Sequence, residues 1–177
     1  MIRMVVVLLL LPLLACERES PTEMPTDFDP DRQVATDVRM IFSDSAQLQF
    51  IIQTPRLETY VTDKVVIEEF PQGISIQFYD ENKVIQSSIS AERAVRKSAL
   101  GLMELEGNVR LENAAHDVLI SPKILWNEVD HTLSTAKYIQ LIRSATGDTL
   151  HGFGFEAKDD FSRFRITKAT GKQRYNP

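Results

Sequence analysis

The chain has 177 residues and a formal net charge of −5. This acidic balance, without a basic stripe of interleaved aromatic residues, argues against a nucleic-acid-binding protein. The single cysteine excludes an intramolecular disulfide and any metal cluster built from several cysteines.

Residues 1–15 have the pattern of an export signal peptide. Arg3 supplies the positive charge, and the apolar run that follows is shorter than the roughly 20 residues of a membrane span. The run ends in the letters LLAC, which resemble the lipobox of bacterial lipoproteins and place the cysteine at Cys16. The sequence therefore predicts cleavage before Cys16 and its lipidation. The alternative is ordinary cleavage that leaves a free thiol.

Residues 16–37 are predicted to be a flexible tether. They contain Pro21, Pro25 and Pro30 among polar residues, and too few large apolar side chains to form a core. The folded domain is predicted over residues 38–170, followed by a C-terminal tail at residues 171–177. Its size is that of one domain.

The domain has the period-two alternation of antiparallel strands and no sustained helical period. The clearest unit spans residues 107–127, where Val109 and Leu111 share a face before a polar turn and a second strand. Gly107 is predicted to be a bulge or bend. The second strand is predicted to place on one face, at a period of two, Val118, Ile120, Pro122, Ile124 and Trp126. Similar units surround polar turns at residues 43–46, 80–83, 113–117 and 144–148. Each is too short to bury its apolar face alone, so the copies must stack or pair. Equivalent positions are predicted to be Thr54, Ser90, Ser121 and Gly152.

One face of these strands carries most of the large apolar residues. A groove for an acyl chain between two halves of the sheet would be lined by Ile74, Ile76, Phe78, Val109, Leu111, Val118, Ile120, Trp126, Ile139, Leu141, Phe153 and Phe155. Further inward positions are Leu48, Phe50, Ile52 and Ile124. The other interpretation is the plain core of a sandwich, and the sequence does not decide between the two.

The sequence offers little catalytic chemistry. Its three histidines are scattered without a second ligand nearby, so it predicts no metal site and no cofactor. Glu156 and Asp160 are the carboxylates that a carbohydrate-acting enzyme would use, but a solvated turn is the favoured interpretation. The protein is therefore predicted not to be an enzyme. A structural or adhesive β-repeat lipoprotein without lipid cargo remains an alternative.

Several phrases resemble the LptC family, the periplasmic component of the lipopolysaccharide export transporter. They are EFPQGI at 69–74, FYD at 78–80, EGNV at 106–109, LWN at 125–127, GFGFEA at 152–157 and DFS at 160–162. Their order and spacing extend the resemblance over residues 37–170. The best-known members keep a transmembrane anchor helix, whereas this chain has the lipidation signal at Cys16.

The resemblance implies an all-β fold, a twisted, jelly-roll-like stack of antiparallel strands built from repeated hairpins and open along one side. The implied function is to accept lipopolysaccharide from the inner-membrane ABC transporter (LptB, LptF and LptG). A hydrophobic groove would pass it to the periplasmic bridge protein LptA, or an equivalent, for outer-membrane assembly. The expected location is the periplasm, anchored through Cys16, with the inner membrane favoured.

The last strand, expected at residues 161–168, is the predicted docking edge for the bridge protein. Strand addition at an unpaired edge is the mode of assembly that an open stack permits. The residues assigned to this edge are Phe161, Arg163, Phe164, Arg165 and Ile166.

Overall fold

The computed structural model describes residues 31–161 and 163–171. The predicted signal peptide, Cys16 and most of the predicted tether and tail lie outside these residues. The unit Asp31–Pro177 contains every described strand and the whole described core. This unit therefore has what it needs to fold alone. Among the described residues, no helix is long and apolar enough to cross a membrane.

This unit consists of strands joined by short turns, with one 3₁₀ turn at Ser98–Leu100. The predicted turns at residues 43–46, 80–83, 113–117 and 144–148 are confirmed as strand connections. The strands are β1 Gln33–Asp44, β2 Gln47–Thr62, β3 Val65–Phe70, β4 Ile74–Tyr79, β5 Ile85–Ala91, β6 Arg93–Lys97, β7 Leu102–Asn113, β8 Val118–Asn127, β9 Thr132–Ile142, β10 Thr149–Lys158 and β11 Phe164–Gly171.

The sheet divides and rejoins, and this gives the fold its two layers. From β11 the order runs through β10, β9 and β8 to β7. One part of β7 then pairs with β5 and the other with β6. The branches continue through β4 and β3 and meet again on β2, which pairs with β4 at residues 50–53 and with β3 at residues 58–62. The remaining strand, β1, pairs with β2.

Each long strand therefore belongs to two half-sheets. Half-sheet A contains β4 and β5 with residues 38–44, 48–54, 109–113, 118–121, 138–142, 149–153 and 168–171. Half-sheet B contains β3 and β6 with residues 33–36, 56–62, 102–106, 123–127, 132–135, 155–158 and 164–166. The expected jelly-roll-like antiparallel fold is confirmed.

A line of bends separates the two half-sheets. On β1 and β2, Asp37 and Pro55 drop out of the pairing. On β7 the register shifts at Gly107, whose φ is 77°. A Cβ on Gly107 would lie 2.8 Å from the Cβ of Glu92, so this bend requires glycine. The predicted bulge or bend at Gly107 is confirmed.

Two buried hydroxyls satisfy backbone carbonyls at the bends. The Thr54 hydroxyl lies 2.8 Å both from the carbonyl oxygen two residues later and from a carbonyl of the β3–β4 turn. The Ser121 hydroxyl lies 3.0 Å and 3.1 Å from the corresponding carbonyls on β8 and β9. The predicted equivalence of Thr54 and Ser121 therefore holds. It is wrong for Ser90, which is exposed, and for Gly152, which lies within the regular pairings of β10.

The hydrophobic core lies between the inner faces of the half-sheets. Trp126 of half-sheet B meets Phe50 and Phe78 of half-sheet A edge to face, with ring centroids 4.9 Å and 5.1 Å apart. Other fully buried residues are Phe70, Ile52, Ile76, Ile89, Met103, Leu105, Leu111, Leu119, Ile124, Leu133 and Ile139. Each such side chain contributes about 1.5–3 kcal/mol on leaving water, so this packing holds the layers together.

The bends also shift the alternation on β8, and this overturns part of the sequence prediction. Leu119 lies opposite Leu111 and Leu141 on the inner face. Its neighbours Val118 and Ile120 therefore point to the outer face, where Val118 is nevertheless buried, at 8% exposure, and Ile120 is half-buried. Their predicted inward orientation was wrong because a strict period of two was extended across the bend after Ser121.

The same shift occurs on β10. Gly154 has a φ of 78°, and the register changes between Phe153 and Phe155. As a result Phe155 is buried, whereas Phe153 is 55% exposed. The prediction that Phe153 faces inward was wrong for this reason.

The domain begins earlier than predicted. β1 starts at Gln33, and Arg32 binds the carboxylates of Glu58 and Glu69 while its guanidinium lies 4.3 Å from the centre of the Tyr60 ring. Hydrogen bonds from Arg32 and Arg56 hold the pKa of Glu58 below its usual value. These contacts fix the first described residues to the outer face of half-sheet B, within the segment predicted as tether.

Candidate binding cleft at the mouth of the sandwich

Opposite the line of bends, the turns of the two half-sheets form a mouth. Half-sheet A contributes the β1–β2, β4–β5, β7–β8 and β9–β10 turns, and half-sheet B contributes the β2–β3, β6–β7, β8–β9 and β10–β11 turns. A ligand can reach the inner faces between these two rows without disturbing the bends.

A cleft of about 410 Å³ lies at this mouth. This volume is within the range of about 300–1,000 Å³ that is usual for small-molecule sites. Phe50 and Phe78 give the cleft an apolar floor, while its rim is polar. The complete lining is Gln47, Leu48, Gln49, Phe50, Phe78, Tyr79, Asp80, Glu81, Gln86, His131, Asp159 and Asp160.

Aromatic rings continue from the floor of the cleft into the core. Phe50 stacks on Phe42 with ring centroids 4.3 Å apart, and Phe78 lies 6.0 Å from Phe50. Behind both lies Trp126, which is 1% exposed. Its indole nitrogen is buried without a hydrogen-bond partner among the described residues. The floor is therefore apolar except for this donor.

One hydrogen bond closes the mouth directly. The hydroxyl of Ser87 on β5 donates to the backbone carbonyl of Asp159, in the β10–β11 turn, at 2.6 Å. Asp159 is held in turn by its carboxylate, which lies 2.9 Å from Nδ1 of His131. Ser87 is 1% exposed, so its hydroxyl has little access to water. The bond links the two half-sheets, and separating them at this point requires that it break.

A buried charge network closes a second part of the mouth. Arg96 on β6 binds both carboxylate oxygens of Glu128 at 2.7 Å and 2.8 Å, and one of Glu68 at 2.8 Å. Its guanidinium lies 4.8 Å from the centre of the Phe42 ring of half-sheet A. Burial opposes the charge on Arg96, but the bonds to Glu128 and Glu68 outweigh it and raise the pKa. Arg96 was not among the predicted site residues, because it faces inward only where the alternation shifts between β5 and β6.

Of the predicted groove residues, Phe78 lines the mouth cleft. Val118, Ile120 and Phe153 lie on the outer face, as described above. The others belong to the closed core between the half-sheets: Ile74, Ile76, Val109, Leu111, Trp126, Ile139, Leu141 and Phe155. In this closed arrangement the core fills the space that the predicted groove would occupy.

The predicted docking edge is an end strand of the sheet, since β11 pairs only with β10 among the described strands. Its bounds differ from the expected residues 161–168. Arg163 and Arg165 are exposed, and Arg165 binds Glu156 at 2.7 Å. Phe164 and Ile166 are half-buried and pack against the core.

Phe161 does not belong to this edge. It lies in the turn before β11, with a φ of 56°, and is 3% exposed. Its ring packs 5.8 Å from Phe155 and 5.3 Å from Phe164, measured between centroids. The strand was predicted to begin at Phe161, whereas β11 begins three residues later, at Phe164.

The other candidate sites do not assemble. Glu156 and Asp160 line different clefts, so they do not form the paired carboxylates of a glycosidase. The described residues contain no group of three or more metal-binding side chains.

A protein-family model described as "LptC: Lipopolysaccharide-assembly, LptC-related" matches residues 2–172. The match covers nearly the whole chain. No curated protein matches it.

Proposed function

Because the chain belongs to the LptC family of lipopolysaccharide-assembly proteins, we propose that its mouth cleft takes up lipopolysaccharide acyl chains between the half-sheets. A role in lipopolysaccharide transport follows from the family, whose place is the periplasm and cell envelope. Beyond this role, the binding site, the direction of transfer and the partner proteins are proposed below.

The observation that carries the proposal is the mouth cleft itself. Phe50 and Phe78 form an apolar floor that is continuous with the core, and glutamine and carboxylate side chains lie on the rim. An amphiphile suits this arrangement, because its chain can lie on the floor while its sugar and phosphate head stays in water. For the chain to go deeper, the two half-sheets must separate.

The energy of an acyl chain explains why a protein track is needed. Ten buried methylenes gain roughly 8 kcal/mol on leaving water, so free diffusion through water is too slow a route. A chain enclosed completely would also leave slowly, because each 1.4 kcal/mol changes the dissociation constant tenfold. A mouth that opens and then closes over the chain provides uptake and release in one domain.

Fluorescence of Trp126, the only tryptophan in the chain, is expected to report this uptake. Titrating the domain from Asp31 onward with an amphiphile brominated along its acyl chain should quench most of the emission, because bromine quenches at contact range. The unbrominated amphiphile is the control for changes in polarity. Phe78→Glu places an unpartnered charge on the floor and should weaken the titration by about tenfold or more.

Melting of Phe78→Glu is measured alongside, so that loss of binding is separated from loss of the fold. The matched variant is Gln77→Glu, which is adjacent on β4 but lies on the outer face and should titrate like the wild type. Bound amphiphile that leaves the Trp126 emission unquenched would place the lipid elsewhere on the domain.

We further propose that lipopolysaccharide comes from the ABC transporter formed by LptB, LptF and LptG and leaves to the bridge protein LptA or an equivalent. The second step is supported by β11, an end strand whose outward edge pairs with no other described strand. Strand addition there would continue the sheet from this domain into the bridge protein.

Proline substitutions at Ala169 and Thr170 are expected to separate docking from folding. Both residues are exposed and lie opposite Gly152 and His151 in the regular ladder. Successive backbone N–H groups point to opposite sides of a strand, so one of the two points outward. The variant with proline at the outward position should keep the wild-type melting temperature but no longer co-purify with the bridge protein. The variant with proline at the inward position loses a hydrogen bond to β10 and should have a lower melting temperature. If neither substitution reduces co-purification, docking does not use β11.

We also propose that lipidated Cys16 anchors the protein to a membrane, the inner membrane in preference. The support is the LLAC sequence and the lone cysteine. Two or more acyl chains on this residue would anchor it stably, since each buried methylene adds about 0.8 kcal/mol.

A further inference from the structure

Trp126 carries a polar atom that its surroundings do not satisfy. The indole Nε1–H is buried without a hydrogen-bond partner among the described residues, in a side chain that is 1% exposed. An indole nitrogen can only donate, so its missing partner is an acceptor. Native proteins bury few such groups, and a phenylalanine would fill much of the same space without one.

The position of Trp126 indicates where that acceptor would come from. Its ring meets Phe50 and Phe78 edge to face, at interplanar angles of 79° and 85°, and both phenylalanines line the mouth cleft. The donor is thus one aromatic ring behind the cleft wall. Phe50 is only half-buried and stacks on Phe42 of β1, which is an end strand of the sheet.

We propose that the Trp126 Nε1–H binds the carbonyl oxygen that joins an acyl chain to its head group, in an ester or an amide. This rests on the proposed uptake of acyl chains and names the residue that positions them. A hydrocarbon tail has no acceptor, whereas this carbonyl does and lies directly below the head group. With the head at the polar rim and the tail between the half-sheets, the carbonyl reaches Trp126 when Phe50 and Phe78 move aside.

Two matched amphiphiles test the assignment by isothermal titration of the domain from Asp31 onward. N-decanoyl-N-methylglucamine has an amide carbonyl, and decyl glucoside has the same chain length without one; both are used below their critical micelle concentrations. Trp126→Phe should bind the amide amphiphile about 5- to 10-fold more weakly, the effect of one net hydrogen bond. Its affinity for decyl glucoside should not change, and its melting temperature is measured alongside to show that the variant is folded.

Nuclear magnetic resonance of the wild type gives a readout without a substitution. The single indole N–H signal should move downfield with the amide amphiphile and not with decyl glucoside. An equal loss of affinity for both amphiphiles, or an unmoved signal, would show that Trp126 acts by packing or donates to the phenylalanine rings, and would overturn the assignment. In either case the uptake of acyl chains would stand. If the wild type binds neither amphiphile, both the uptake of acyl chains and the role assigned to Trp126 are overturned.

Discussion

A disulfide that joins β5 to the β10–β11 turn, made by Ser87→Cys with Asp159→Cys, is expected to abolish uptake of acyl amphiphiles. The wild-type hydroxyl at residue 87 already bonds to the backbone of Asp159 at 2.6 Å, which places the two chains next to each other, and thiol titration of the oxidised sample shows that the cross-link has formed. The unit from Asp31 onward contains no other cysteine. Under oxidising conditions the Trp126 quenching titration should weaken by at least about a hundredfold, because the open state is removed.

Reduction of the disulfide should restore the titration in the same sample. The matched control is Arg110→Cys with Ile120→Cys, which lie directly opposite each other on the outer face of β7 and β8 and do not span the mouth. That second disulfide should leave the titration unchanged. Equal quenching in the oxidised and reduced forms of the cross-mouth variant would mean that lipid reaches Trp126 without opening the mouth.

Substitution of Arg96 is expected to produce the largest loss of stability among the charged residues described here. Arg96→Ala removes the partner of two carboxylates that are only 14% and 13% exposed, Glu68 and Glu128. Breaking a buried ion pair by removing one partner costs about 3–5 kcal/mol, much of it from the charges left behind. Denaturant unfolding of the domain measures this loss.

Arg93→Ala is the matched control on the same strand. Arg93 binds Glu106 on the surface with a side chain that is 61% exposed, so its loss should change stability by no more than about 1 kcal/mol. Combining Arg96→Met with Glu68→Gln and Glu128→Gln should recover part of the Arg96→Ala loss, because no buried charge remains. Equal losses for Arg93 and Arg96 would show that the Arg96 network contributes no more than a surface pair.

The hairpins and turns followed from the sequence because they depend on local features. Polar residues interrupt a period-two pattern, and those interruptions proved to be the strand connections. Gly107 was recognisable as a bend for the same reason, since a glycine inside an apolar alternation suggests a backbone that other residues do not adopt.

The division into two half-sheets could not be predicted from the sequence. A bend changes which residues of a strand face inward, and no single residue type occurs at every bend. Pro122 stands at the bend of β8, yet it was counted as an inward residue, and Ile120 was assigned to the wrong face with it. Arg96 interrupts the apolar pattern of β6 in the way a surface residue would. Its burial depends on Glu68 and Glu128, which are distant in sequence, so no local signal identifies it.

The candidate site was predictable only in part. Phe50 and Phe78 were identified as inward residues, and both lie on the floor of the cleft. Ser87 and Asp159 meet only because the β10–β11 turn reaches across to β5, a contact between residues far apart in the chain. Trp126 was expected to face inward, but its unsatisfied nitrogen depends on the packing of the rings around it.

Uptake of lipopolysaccharide through the mouth is tested most directly by photocrosslinking in cells with a photoreactive side chain at Phe78 or at Gln77. Phe78 lies on the floor of the cleft, whereas Gln77 lies on the outer face of the same strand. We expect lipopolysaccharide to crosslink at Phe78 and not at Gln77. Equal crosslinking at both positions, or none at Phe78 in a folded protein, would contradict transport through the space between the half-sheets.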